Sequence, residues 1–333
     1  MNIRDKRSME DQKKMKVREK QNSGDRSLNS KDPLRYGSNG IIRAGPIDFD
    51  ERIAEHEGSI MSVSTRYVVT IPPTTTIISA IKTMTEKGFR HIPVTDAGTN
   101  RLEGMVTSVD VIDFLGGGSK NLLIENHYKG NLLAAVNASV KEIMQNEADS
   151  ISDGAAIDEA VSKMLDNISG GLPVVDSEGH VRAICTEKDF LRFSGGVMTS
   201  KRVAHYMTRK VKSVAPDTNI GDVTKMMIDN GFRRVPVLDK GNIIGMVTAS
   251  DIMHFLGSGD AFHRLMTGNV HEALNEPVSS LISKEPVSIN KDADMGSAAH
   301  LMLDNNIGSL PVMDNGELAG ILTEKDFLKA MSE

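Results

Sequence analysis

Four aspartates in this chain, Asp110, Asp189, Asp251 and Asp326, each follow a threonine by three residues, at Thr107, Thr186, Thr248 and Thr323. Ahead of an apolar helix, Thr-x-x-Asp is a capping box. The hydroxyl and the carboxylate each satisfy one of the amides that a helix start leaves free. The same place can also bind a ligand. Free amides and a partial positive charge favour a phosphate, and a carboxylate there can accept both hydroxyls of a ribose. Capping and ribose contact do not exclude each other, so both readings fit these residues.

A second set of groups lies 17 to 20 residues upstream of two of these aspartates. Arg90 and His91 precede the first phrase, and Arg233 and Arg234 precede the third. At the same place the second and fourth copies carry Gly170 with Gly171 and Gly308 with Ser309. Cations at this step are either solvated surface charges or partners for an anion. Their recurrence in alternate copies favours the second role. Small residues in the other copies would let backbone approach a ligand closely. Because side chains alternate along a strand, both cations of one pair reach a single phosphate only if the strand begins irregularly.

These residues sit in four copies of one pattern, and internal repeats decide the architecture. The copies end in GMVTSVD at 104–110, AICTEKD at 183–189, GMVTASD at 245–251 and GILTEKD at 320–326. Upstream lie IPV at 92–94, LPV at 172–174, VPV at 235–237 and LPV at 310–312. Copies one and three share GFR, and copies two and four share TEKDFL, so a two-repeat module has been duplicated whole. In the third copy residues 211–215 read as a short strand stopped by Pro216. Asp217 or Thr218 can cap a helix carrying Ile220, Val223, Met226 and Met227 at helical spacing. Asn230 and Gly231 suit its end. RVPVLDKGNIIGMVT then reads as a hairpin turning at DKGN, and a last helix opens at Thr248 and runs to about Leu256. The order is strand, helix, strand, strand, helix. So small a sheet cannot bury both faces alone, so repeats must pair, with a cleft between them.

This order, the apolar-Pro-Val step and the Gly-x-x-Thr-x-x-Asp phrase resemble cystathionine-β-synthase-type (CBS) domains. The resemblance covers about residues 58–333. It implies an α+β fold of four tandem β-α-β-β-α CBS repeats, paired into two pseudo-twofold Bateman modules. Four copies in one chain are similar to the γ subunit of AMP-activated protein kinase. Repeats are expected at 58–118, 140–197, 198–259 and 278–333, with connectors at 119–139 and 260–277. A disordered basic leader is expected at 1–45 and a short lead-in helix at 46–57. The resemblance also implies site residues. The aspartates would hold ribose, with the threonines near phosphate, and Arg90, His91, Arg233 and Arg234 would meet phosphates. Adenine would lie near the first and last strands, at positions matching Thr70, Ile71, Ile151, Val214, Ile289, Met105 and Met246. Plain core packing is the competing reading of those seven. Repeat two departs from the phrase with Ala183 in place of glycine. Family members bind AMP, ADP, ATP, S-adenosylmethionine or nothing.

Composition narrows the class. The 333 residues are 39% hydrophobic and only 4% aromatic, without Trp, so aliphatic residues and 19 Met must fill the core. The single cysteine, Cys185, excludes a disulfide framework, sits beside Ile184 as a small core residue, and suits a cytoplasmic home. No apolar run spans a bilayer, and no charged-then-apolar leader reads as a secretory signal. Residues 1–35 hold eleven Lys or Arg against six Asp or Glu, within a chain of net charge −6. They lack the interleaved aromatics of single-strand binders, so nucleic acid is not the expected partner. The nine histidines show no metal spacing. No Gly-rich phosphate loop or Ser-His-Asp set is present, and no catalysis is expected. The expected role is a regulatory protein that binds an adenine nucleotide and signals to a separate, unidentified protein. It would work as a monomeric disc or as a homodimer. The alternatives are an S-adenosylmethionine sensor and a ligand-free scaffold.

Overall fold

The computed structural model describes residues 34–36, 42–44, 58–116, 118–166, 170–257, 274–283 and 285–333. The chain divides into two units, Met1–Ile47 and Asp48–Glu333. In the first, β1 (Leu34–Tyr36) and β2 (Ile42–Ala44) pair antiparallel with Arg35 opposite Arg43. The rest of the expected leader, the lead-in helix at 46–57 and most of the connector at 260–277 lie outside the described residues.

The second unit carries the repeats, in the order read from the sequence. Repeat 1 supplies α1 (Ile77–Lys87), β3 (His91–Thr95), β4 (Leu102–Thr107) and α2 (Ser108–Gly116). Two short helices follow, α3 (Leu122–Tyr128) and α4 (Leu132–Val136). Repeat 2 has β5 (Ile151–Ser152), α5 (Ile157–Asp166), β6 (Gly171–Val175), β7 (Val181–Thr186) and α6 (Glu187–Val197). After the single turn α7 (Val203–Tyr206), repeat 3 has α8 (Ile220–Asn230), β8 (Arg234–Asp239), β9 (Asn242–Thr248) and α9 (Ala249–Gly257). Repeat 4 closes the chain with β10 (Ile289–Asn290), α10 (Met295–Asp304), β11 (Ser309–Asp314), β12 (Glu317–Thr323) and α11 (Glu324–Ser332).

Two local expectations shift. The strand expected at 211–215 shrinks to one parallel bridge, Val214 to Val237, as Ile71 to Val94 does in repeat 1. The cap of α8 is Asn219 rather than Asp217 or Thr218. The cause is a partner segment: Asn219 bridges Pro277, and the Ile220 amide donates to the Glu276 carbonyl at 2.9 Å. Extended pairing therefore delays the helix. In α8, Thr224 is fully buried beside Ile220, Val223 and Met227, while Met226 is only half-buried. Gly231 ends the helix in the left-handed region at φ 64°, and DKGN turns with Lys240 at φ 50° and Gly241 at φ 87°.

The proline step has a backbone reason. Ile71 and Val214 donate to the carbonyls of Pro93 and Pro236 at 3.2 and 3.1 Å, the first bonds of each parallel ladder. In an extended residue, N–H and C=O point the same way, so proline's missing donor falls just before that ladder begins.

Each repeat lends its lead-in segment to its partner. Thr65 bridges the edge of β7 at Ile184, Gln145 bridges β4 at Met105, and Thr208 bridges β12 at Ile321. The first helices are tied the same way. The amides of Ile77, Ile157, Ile220 and Met295 donate to Ala138, Gly58, Glu276 and Lys201, each in the partner's lead-in. Repeats 1 and 2 thus form one module, and repeats 3 and 4 the other. Between modules the contacts are helical: α2 meets α8 and α9, while α6 meets α10 and α11. One buried cluster joins repeats 1 and 3, from Ile77 and Phe114 to Val223 and Ile252. Leu191 of repeat 2 lies in the core of repeat 4, and Leu328 of repeat 4 in the core of repeat 2. The repeats therefore close a ring in the order 1, 2, 4, 3.

The phrase glycine belongs to this swap. A Cβ on Gly104 would lie 2.5 Å from the Gln145 carbonyl oxygen, and one on Gly320 would lie 2.9 Å from that of Thr208. Ala183 in repeat 2 leaves the Thr65 bridge intact. Gly104→Ala should therefore destabilise the fold by about 1–3 kcal/mol in a urea titration, because backbone must move. Gly98→Ala, with only a side-chain oxygen at 3.5 Å, should change it by less than about 0.5 kcal/mol.

Candidate functional site

All four Thr-x-x-Asp phrases form the capping geometry. The Thr107 amide and hydroxyl donate to Asp110 Oδ2 at 2.7 and 2.6 Å, and the Asp110 amide donates back to Thr107 Oγ1 at 3.2 Å. The pairs Thr186–Asp189, Thr248–Asp251 and Thr323–Asp326 repeat it, with amide-to-carboxylate distances of 2.8 Å. One carboxylate oxygen is thereby committed in each copy, and the copies differ in what meets the other.

Asp110 Oδ1 is engaged by the ammonium of Lys120, which also donates to the Ile143 carbonyl, and by Gln145 Nε2 at 3.3 Å. Asp189 Oδ1 accepts from Thr65 Oγ1 at 3.4 Å and faces Arg192 at 4.0 Å. Asp326 Oδ1 pairs with Lys329 at 2.8 Å. All three carboxylates are buried. Asp251 is half-buried, and its Oδ1 has no hydrogen-bond partner among the described residues. Burial pushes the Asp189 carboxyl above its ordinary range, against the bonds from Thr186.

The cations of the odd repeats reach the even ones. Arg90 and Glu324 form a two-pronged pair, Nη1 to Oε2 at 2.6 Å and Nη2 to Oε1 at 2.9 Å. Arg234 Nη2 donates to the same Oε2 at 3.2 Å. Arg233 donates to Glu187 Oε2. Glu187 and Glu324 are 2% and 1% exposed. His91 is buried at the start of β3, where a Cβ on Gly171 would lie 3.1 Å from its ring. Neighbours Arg233 and Arg234 go to different carboxylates in different repeats, as strand alternation requires.

The small residues at 170, 171 and 308 make room for these cations. A Cβ on Gly170 would lie 2.8 Å from Arg233 Nη1, and one on Gly308 would meet Arg234 and lie 2.7 Å from the Glu324 carboxyl carbon. In the ring order, Arg90–Glu324 joins repeats 1 and 4 and Arg233–Glu187 joins repeats 3 and 2. Both pairs run across the centre, one along each diagonal.

Three guanidiniums face two glutamates there, and Lys188, bonded to Asn306, adds a further cation. Burial pushes Arg234 down to about 10; Glu324 opposes that shift, and Arg90 and Arg233 reinforce it. Burial alone would raise Glu324, but Arg90 and Arg234 outweigh it and hold that carboxyl well below its usual range. Arg233 Nη1 is buried and unbonded, unlike every other buried side-chain nitrogen or oxygen among the described residues. An unmade bond of this kind costs about 1–3 kcal/mol. The centre is thus a largely buried, cationic site with one donor to spare.

The glutamates escaped the reading from the sequence. The signal was present in the residue after each threonine, which is Ser108, Glu187, Ala249 and Glu324 in turn. Acid alternates with small residue in the reverse phase to the cations. Among the adenine-slot positions, Ile71, Ile151, Val214 and Met105 are buried. Thr70, Ile289 and Met246 are half-buried, and Thr70 donates to Asn100 Oδ1 at 3.4 Å. Cys185 is a buried core residue, and burial pushes its thiol up. Among the described residues no His, Cys, Asp and Glu cluster could hold a metal, and no helix is long and apolar enough to cross a membrane.

Paired small α+β repeats that exchange lead-in segments around a shared centre define a class of tandem-module proteins. The chain belongs to the CBS domain family, whose profile matches residues 60–117, 140–196, 203–258 and 278–333. It is 39% identical to the uncharacterized protein MJ1225 of Methanocaldococcus jannaschii over 264 residues, 79% of this chain and 94% of that one. The crystal structure of MJ1225, proposed as an archaeal homologue of γ-AMPK, superposes with a TM-score of 0.78 at 37% identity, covering 82% and 99% of the two chains. An uncharacterized conserved protein from Pyrococcus horikoshii shares the fold, with TM-score 0.54, 19% identity and coverage of 82% and 99%.

Glu324 depends on its guanidiniums for its charge, and the sign of its pH effect follows. Its folded pKa lies below the unfolded value near 4.5, so the stabilisation is complete above that value and is lost as pH falls through the folded pKa. Glu324→Gln should cost about 3–5 kcal/mol at pH 7 in urea unfolding, since breaking a buried pair strands the remaining charge. The gap between variant and parent should narrow as the pH drops below 4.5.

Proposed function

We propose that this chain is a non-catalytic regulatory protein of the cytoplasm that binds an adenine nucleotide, AMP, ADP or ATP, between its paired repeats. The observation that carries this reading is the central cluster, where Arg90, Arg233 and Arg234 outnumber Glu187 and Glu324 and one buried guanidinium N–H has no acceptor. A guanidinium fork suits phosphate oxygens, and burial strengthens the attraction. In β8, Arg234 lies opposite Thr248, and the Arg233 carbonyl accepts from the Ala249 amide at 2.9 Å. The cations and Asp251 therefore flank one crossing of strand and helix. Phosphates directed to the arginines leave Asp251 Oδ1, unbonded among the described residues, for the ribose hydroxyls. At Asp110 the Lys120 ammonium already takes that oxygen, so the ribose is not expected there.

S-adenosylmethionine ranks second, because its sulfonium gains nothing from a cationic centre. A bare scaffold would leave the buried Arg233 donor without purpose. Signalling follows if the ligand favours one arrangement of the modules over another, by its difference in affinity for the two. The listener in this reading is a separate protein.

A thermal shift screen of adenylates, guanylates and S-adenosyl compounds tests the reading. A ligand at 100 times its Kd should stabilise the protein by about 2.7 kcal/mol. A screen in which no compound moves Tm favours the scaffold. Arg233→Lys keeps a charge for Glu187 but loses the spare donor, and it should weaken AMP binding far more than adenosine binding. Equal losses would show that Arg233 serves the fold alone. Asp251→Ala should weaken AMP by about tenfold or more, whereas Asp110→Ala should leave it within about twofold. The reverse order would move the ribose to repeat 1.

A further inference from the structure

We propose that Glu187 and Glu324 are resident anions of the central guanidinium cluster, which a phosphate-bearing ligand displaces, so that binding releases the ties between the two modules. The nucleotide identity of that ligand rests on the reading above; the exchange of anions does not.

Glu187 and Glu324 are the first residues of α6 and α11, and neither is needed to cap its helix. Asp189 and Asp326 do that, accepting from the amides of Thr186 and Thr323 at 2.8 Å. A glutamate serving the helix dipole alone would do so at the surface. These two are instead buried by cations arriving from other repeats, at sequence separations of 46, 90 and 234 residues. The odd repeats place Ser108 and Ala249 at the same position and supply no anion there. Each glutamate is anchored next to a glycine whose missing Cβ leaves room for it. The Glu187 and Glu324 amides donate to the Gly170 and Gly308 carbonyls at 3.1 and 3.2 Å. A Cβ on either glycine would lie within 3.0 Å of the carboxylate beside it.

The two carboxylates do not saturate what they meet. Arg233 Nη1 stays unbonded, while Glu324 Oε2 is shared by two arginines. A phosphate offers three oxygens and a larger charge, so it can satisfy guanidiniums that one carboxylate leaves partly served. Taking Arg90 from Glu324 and Arg233 from Glu187 breaks both diagonal ties of the ring together. Arg234 and Glu324 belong to the same module and do not join it to the other. The energy of a phosphate at the centre is therefore felt between modules, which is where a change of shape can be read by a partner.

The experiment uses the full chain with inorganic pyrophosphate and, separately, AMP. Glu187→Gln removes one resident charge while keeping its shape, with folding checked by circular dichroism and melting. Its Kd for pyrophosphate should fall by about tenfold relative to the parent. In the parent, hydrogen–deuterium exchange at residues 187–190 and 324–327 should rise when either ligand saturates, because each glutamate loses its partners. Exchange that is unchanged or slowed under bound ligand overturns the proposal, as does a folded variant that binds pyrophosphate no more tightly than the parent. If the variant does not fold, exchange in the parent decides. Tighter pyrophosphate binding by the variant with no AMP binding by the parent would keep the exchange of anions and reject the nucleotide. AMP binding by the parent without either effect would keep the nucleotide and reject the exchange.

Discussion

Burying three guanidiniums against two carboxylates where four repeats meet is the constraint on which the rest of this structure depends. Charges this buried are tolerated only when paired, and removing one partner strands the other. The pairing here cannot be made within a repeat. Arg90 needs Glu324 from the far end of the chain, and Arg233 needs Glu187 from the other module. The cluster therefore selects one closed arrangement of the four repeats, which apolar helix faces alone would specify less sharply. It also explains the alternation of the copies. Odd repeats give cations and a small residue after the threonine, and even repeats give glycines or serine and an acid.

Around that centre the backbone does the joining. Lead-in segments cross to the partner sheet at Thr65, Gln145 and Thr208, and phrase glycines at 104 and 320 let them lie close. Helix faces then seal repeat 1 against repeat 3 and repeat 2 against repeat 4. The same threonine and aspartate cap each second helix and lie at the start of it, beside the cation-bearing strand. One set of residues thus serves folding and presents a carboxylate. The copies also differ in what meets the second carboxylate oxygen: Lys120 and Gln145 at Asp110, Lys329 at Asp326, and no described residue at Asp251 Oδ1.

Much of this was legible in the sequence, and the limits have physical causes. Four copies of one phrase fixed the order of elements, and Thr-x-x-Asp gave the capping geometry because that contact spans three residues. Local rules failed where a distant segment intervened. Asn219 replaced Asp217 or Thr218 as a cap because Pro277 holds the preceding chain extended. The strand at 211–215 reduced to Val214, since Pro236 has no N–H to extend the ladder backwards. The partners of Arg90, Arg233 and Arg234 were hidden because they lie 46 to 234 residues away. Their trace was the acid of TEKD against the small residue of TSVD and TASD, meaningful only once the copies are set around a ring.

The most direct test of the central claim is a crystal structure of the full chain grown with AMP. The phosphate should lie within hydrogen-bonding distance of Arg233 Nη1, with the ribose hydroxyls on Asp251. Ordered nucleotide elsewhere on the protein, with Arg90, Arg233 and Arg234 still paired to Glu187 and Glu324, would contradict it.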